Sequence, residues 1–339
     1  MQEAVAARTL VIAEAGVNHN GDLGMALRLV DVAADAGADF VKFQTFSAAR
    51  LATAAASKAH YQAARSGGDE SQLAMLRRLE LSADAHAQIV ARCRDRSIGF
   101  LSTGFDIESV DFLIGLGIPM IKIPSGELTN MPYLRYVGAL GLPTVLSTGM
   151  AELYEVAQAI AVLEVAGLTR KRLTVLHCTT EYPAPYADVN LRAMQAMRSA
   201  FGVEVGYSDH TRGIEVAIAA VALGARVIEK HFTLDCGLPG PDHCASLPPE
   251  QLAAMVSAIR NVELALGSGD KRPTGAELKN KAVVRKSIVA ARAIRAGELF
   301  SADNLAVKRP GTGVSPMRWD ELIGRPACRD YAIDEMIES

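Results

Sequence analysis

The chain has 339 residues, half of them hydrophobic and 22% charged, with a net charge of −3 and a pI near 6.2. That balance excludes an intrinsically disordered chain and offers no global basic field for a nucleic-acid partner, which needs clustered Lys and Arg. The apolar runs stop short of the roughly 20 residues of a spanning helix, MQEAVAARTL lacks a signal pattern, and five cysteines without CxxC spacing fit reduced thiols, so the protein is expected in the cytoplasm.

In chain order, short β-branched runs alternate with longer Ala- and Leu-rich segments of helical period, the pattern of βα units around a parallel sheet. Strands are predicted over 9–16 (TLVIAEAG), 39–45 (DFVKFQT), 99–104 (GFLSTG), 120–124 (MIKIP), 144–149 (TVLSTG), 173–179 (LTVLHCT), 204–209 (EVGYSD) and 226–232 (RVIEKHF). LGMALRLVDVAADAG, after the first, is helical and ends on a glycine suited to a C-cap. After the second comes an excursion over 46–81, with SGGDES and the helical QLAMLRRLEL, expected to fold over the catalytic face as a partial lid.

Eight strands each followed by a helix close most economically into a (β/α)8 TIM barrel, here spanning 1–267. SGDKRPTGAELKN opens a linker, 268–284, and 285–339 reads as short strands and turns, a small mostly-β domain that is marginal alone and expected to dock on a second subunit.

Side chains alternate inward and outward along a barrel strand, and function gathers at the strand carboxyl ends. Glu14 on the first strand, Lys42 and Gln44 on the second, Ser208 and His210 on the seventh, and Glu229 and His231 on the eighth therefore point polar groups into one end of an interior that normally prefers Val, Ile and Leu. His210 and His231 end neighbouring strands, about 4.8 Å apart in a sheet, a separation that suits two imidazoles on one divalent ion. Imidazole nitrogens with water and carboxylate oxygens fit Mn, Fe, Co or Zn, and Cys178 at another strand end keeps zinc open.

Lys42 and Lys122, with the hydroxyl-rich turns LSTGF, IPSGE and LSTGM, point to phosphate recognition. No GxxxxGK[ST] or well-placed GxGxxG supports a nucleotide. His60 and His86 read as solvated, the methionines of helical segments as core filler and Trp319 as packing in the small domain, while Glu181, His177 and His243 are undecided.

The set EAGVNHNG (14–21), VKFQTF (41–46), FLSTGF (100–105), IKIPSGE (121–127), LSTGM (146–150), HCTTEYPAPY (177–186), GYSDHT (206–211), EKHFT (229–233) and PGPDH (239–243) resembles the bacterial sialic acid synthase family. VKRPGTG (307–313) is similar to its carboxyl-terminal antifreeze-like, or SAF, domain.

The resemblance implies condensation of phosphoenolpyruvate with N-acetylmannosamine, or with 2,4-diacetamido-2,4,6-trideoxymannose, to a nonulosonic acid and phosphate. It implies a divalent ion, Mn2+ before Mg2+ or Co2+, on His210 and His231, and phosphoenolpyruvate held by Lys42, Thr103, Lys122, Ser125, Ser147, Thr180 and Ser208. Gln44, Glu127, Tyr182 and Asp242 would face the sugar, Glu14 or Glu127 would act as base, and Arg309 would reach a homodimer partner's barrel and contact the N-acetyl group.

The sequence departs from the family at Gly104, often proline there, and at Thr180, usually Asn or Ser. Two other readings remain. One is a Schiff-base aldolase using Lys42 or Lys122; the other, suggested by the tail alone, is a non-catalytic carbohydrate- or ice-binding protein.

Overall fold

The computed structural model describes residues 8–59 and 70–338. Two compact units divide the chain, Met1–Ser268 and Gly269–Ser339. In the first, β1 (Leu10–Gly16), β2 (Phe40–Thr45), β3 (Gly99–Gly104), β4 (Ile121–Ile123), β5 (Thr144–Ser147), β6 (Leu173–Cys178), β7 (Glu204–Asp209) and β8 (Val227–His231) form a closed parallel barrel in chain order.

The two-residue period of each strand decides what lies inside. Outward side chains such as Val11, Ala13, Val41, Phe43, Val175 and Ile228 join the core between barrel and helices. Inward, Ile12, Leu101, Val145, Leu176 and Val227 form an apolar plug. One step toward the strand carboxyl ends the inward positions turn polar, at Glu14, Lys42, Thr103, Lys122, Ser147, Ser208 and Glu229, all buried. Register aligns them: Glu14 pairs with both Lys42 and His231, Thr103 with Lys122, and Ser208 with Glu229.

The helices between strands start where short polar side chains satisfy free backbone N–H groups. Asp22 accepts from Met25 N ahead of Leu23–Asp35, and Asp106 accepts from Ser109 N ahead of Ile107–Gly115. Within the excursion, Ser71 caps a helix over Gln72–Leu79. Its Met75 and Leu79 pack with Val17 and Phe46, and with the half-buried Leu51, Leu76 and Phe105, at the barrel mouth.

In the second unit, β9 (Ser287–Ala290) runs antiparallel to β10 (Leu305–Lys308). Ile288, Phe300, Leu322, Tyr331 and Ile337 make a small core on which Trp319 packs. The stretch read as a linker contains a helix over Gly275–Val284, opened by a capping box between Thr274 and Glu277, a local signal that its Gly, Lys and Pro content masked. All five cysteines are free thiols.

Candidate active site

The inward polar residues open into a cavity of about 440 Å³ at the carboxyl ends of the strands. That is ample for small metabolites. Its floor is a buried charge network. Lys42 Nζ lies 2.7 Å from Glu14 Oε2 and 3.6 Å from Glu229 Oε2, and donates to Thr103 Oγ1 at 2.9 Å. Lys122 Nζ lies 3.5 Å from Glu229 Oε1, to which Ser208 Oγ donates at 2.9 Å.

The two carboxylates have unlike environments. Burial pushes Glu14 up to about 7 against the pull of Lys42. Burial acts on Glu229 in the same sense, but Lys122 and Lys42 together hold it down to about 2. Lys42 stays raised because Glu14 and Glu229 outweigh its desolvation, whereas burial of Lys122 outweighs Glu229 and lowers it. One carboxyl is thus poised near neutrality beside another fixed as an anion.

Above this floor, the rings of His210 and His231 stand 5.4 Å apart, centroid to centroid, at 56°. Tyr182 packs against both, at 4.2 and 5.6 Å. His210 Nδ1 hydrogen-bonds Thr179 O at 2.7 Å, which fixes a neutral tautomer with a free Nε2 lone pair. His231 Nδ1 is buried without a hydrogen-bond partner, 3.9 Å from Asp242 Oδ2. Desolvation lowers both imidazoles, most strongly His231, and raises Asp242 to about 6.

Gly16, at φ +54°, leaves His231 its place, since a Cβ there would meet the ring at 3.3 Å. Two neutral imidazoles, one with an orphaned nitrogen, fit a divalent ion. Among the described residues no third His, Cys, Asp or Glu completes a metal-binding group, so substrate oxygens and water would fill the remaining positions.

At the ends of β4, β5 and β6, the side chains of Ser125, Thr180 and Cys178 converge on Gly149. Ser125 Oγ accepts from Gly149 N at 2.9 Å and lies 3.3 Å from Cys178 Sγ. The buried Ser147 Oγ and Thr180 Oγ1 have no partner, as expected of groups awaiting a ligand.

Of the predicted site residues, Glu14, Lys42, Gln44, Thr103, Lys122, Ser125, Ser147, Thr180, Tyr182, Ser208, His210, His231 and Asp242 all line this one cavity. Glu127 does not. It sits on the turn Ser125–Glu127, and Asn130 Nδ2 donates to its carboxylate at 2.6 Å, because the turn carries Ser125 inward and Glu127 away. Arg309 is in the second unit, exposed, with Nε donating to Val284 O at 3.1 Å.

His86 is buried rather than solvated. Its Nε2 meets Thr45 Oγ1 at 2.8 Å and its Nδ1 meets Ser82 O at 2.9 Å, since the helix face that carries it turns toward β2. His60 lies outside the described residues. The role that residue patterning missed is that of Glu229, counter-ion to both lysines; its inward position was readable, its partners were not.

A parallel (β/α)8 barrel whose cations, carboxylates, hydroxyls and two imidazoles line one cavity at the strand carboxyl ends defines a barrel enzyme. The chain belongs to the NeuB family: the family model matches residues 29–271, and the SAF domain matches residues 285–338. It is an enzyme of the NeuB synthase type.

Over 330 residues it is 53% identical to the N,N'-diacetyllegionaminic acid synthase of Campylobacter jejuni, covering 97% of this chain and 99% of that protein. The Legionella pneumophila protein of the same name is 48% identical, covering 93% of this chain and 89% of its own length. Among solved structures, N-acetylneuraminic acid synthetase from Leptospira borgpetersenii, in complex with citrate, superposes with a TM-score of 0.70 at 32% identity, over 80% of this chain and 90% of that one. No helix among the described residues is long and apolar enough to cross a membrane.

Proposed function

We propose that this enzyme condenses phosphoenolpyruvate with 2,4-diacetamido-2,4,6-trideoxymannose, giving N,N'-diacetyllegionaminic acid and inorganic phosphate. The observation that carries the reading is the placement of Lys42 and Lys122, with the hydroxyls of Thr103, Ser147 and Ser208, in one cavity with His210 and His231. The two relatives named N,N'-diacetyllegionaminic acid synthase favour this product. N-acetylmannosamine is the second acceptor, favoured by the likeness to an N-acetylneuraminic acid synthetase.

Phosphoenolpyruvate is a weak carbon nucleophile, so the open-chain aldehyde must be polarised. His210 and His231 would hold a divalent ion, Mn2+ in this reading, which would supply Lewis acidity for the aldehyde. The chain does the rest. Lys42 and Lys122 balance the anionic substrate, and Ser147, Thr180 and Ser208 orient it so that its C3 faces the aldehyde carbon. As that bond forms, the aldehyde oxygen takes a proton from the Glu14 carboxyl and C2 becomes electron-poor. Water then adds at C2 and gives one proton back to Glu14, and closure of the adduct to the C2 ketone expels phosphate, which carries off the other.

A Schiff-base reading needs a neutral amine. The ion-paired Lys42 is unsuited to it; Lys122 is the lysine that borohydride trapping with substrate would have to label. The proposed condensation places the enzyme in the cytoplasm, where phosphoenolpyruvate is made, as a homodimer in which Arg309 approaches the partner's barrel mouth.

Phosphate release from phosphoenolpyruvate is the test, with each sugar offered separately and product mass as the readout. Release with the diacetamido sugar is expected. Absence of release with either sugar would overturn the reading.

A further inference from the structure

The cavity has two chemically unlike sides. Tyr182, His210 and His231, which follow or end β6, β7 and β8, form one. On the β1–β3 side, Val17, Leu51, Met75, Leu76, Leu79 and Phe105 line the cavity and pack as a single cluster. This wall is assembled from strand ends and from the excursion. In the closed ring of eight, β3 stands opposite β7, so an acceptor whose aldehyde faces the histidines extends its far end toward the apolar wall.

Among the described residues of the excursion, Gln72 is the polar side chain that reaches the cavity. A hydroxyl brought against Leu51, Leu76 and Phe105 loses its water and gains no partner from those side chains, whereas a methyl gains burial. We infer that this wall selects acceptors at C6, accepting a 6-deoxy sugar and disfavouring one with a 6-hydroxyl, and that Leu51 and Leu76 are specificity-determining residues. The inference rests on the proposed condensation and adds to it the feature that separates its two candidate acceptors.

An apolar pocket discriminates against an added hydroxyl by about 10- to 100-fold in kcat/KM. The test uses N-acetylmannosamine and its 6-deoxy analogue, which differ by one oxygen, together with the diacetamido sugar. Wild-type enzyme should prefer the 6-deoxy member of the pair by at least about 10-fold. Leu76→Gln, half-buried on its helix and replaced by another good helix former, should bring that ratio toward one while the KM for phosphoenolpyruvate holds. Leu51→Gln, on a separate segment, should do the same.

If wild-type enzyme releases phosphate with the diacetamido sugar but shows no 6-deoxy preference, the inference falls and the proposed function stands. It falls equally if both variants lose activity on the matched pair in proportion and keep the ratio, the mark of a structural role. If no sugar supports release, function and inference fall together.

Discussion

Glu14 and Lys42, register partners on β1 and β2, meet inside the barrel at 2.7 Å, yet burial still lifts the Glu14 carboxyl to about 7. Adding an anion to this floor disfavours the ionised carboxylate further. Binding of phosphoenolpyruvate between pH 7 and 8 is therefore expected to draw a proton onto the enzyme. Calorimetry in buffers of different ionisation enthalpy reads the uptake directly, and Glu14→Gln should abolish it. Equal heats in all buffers for the wild type would count against Glu14 as the proton carrier.

His210→Ala should lower phosphate release by more than about 100-fold, beyond what loss of a supporting contact costs a metal site. The circular-dichroism spectrum should stay intact. Chelator-treated wild-type enzyme should behave alike and recover with Mn2+. Full activity after chelation would remove the ion from the reaction.

Gly149 is needed for closeness, not for an unusual φ. A Cβ there would meet Thr180 Oγ1 at 2.1 Å, Ser125 Oγ at 2.9 Å and Cys178 Sγ at 3.1 Å. Gly149→Ala should displace these hydroxyls and raise the KM for phosphoenolpyruvate about 10-fold, the effect of about 1.4 kcal/mol. The sugar KM should move less. An unchanged phosphoenolpyruvate KM would place the phosphate elsewhere.

His19 is buried, and desolvation lowers its pKa from 6.5 to about 4; His243 is held down to about 4 in the same way. An unfolded chain protonates such groups first, so their contribution is whole above pH 6.5 and is lost as pH falls toward 4. For His19 the loss reaches about 3 kcal/mol. Ring-proton titration by NMR should find both imidazoles neutral in the folded enzyme at about pH 5.5, where an unfolded chain is mostly protonated. Resonances that titrate near 6.5 would contradict this.

Arg309→Ala should raise the sugar KM several-fold and leave the fold intact. If the arginine serves the partner's barrel, mixing this variant with His210→Ala should restore part of the activity in heterodimers. Verified mixed dimers without recovery would assign Arg309 no role across subunits.

Much of the site was legible because a barrel strand alternates its faces: inward polar residues two apart near a strand end have nowhere to point but the mouth. That argument finds Lys42 and Gln44, Ser208 and His210, Glu229 and His231. It does not reach beyond the strands: Glu127 follows β4 on the turn Ser125–Glu127, where Asn130 holds its carboxylate, and the helix that carries His86 rotates it into the core.

From the sequence alone came the eight strands, the neighbouring histidines and the polar end of the cylinder, since local period and chain order determine each of these. Closure of the ring decided the rest. Which carboxylate lies between two lysines, and which apolar side chains stand across the mouth from the imidazoles, depends on distances between residues far apart in the chain, and no spacing along a single strand contains them.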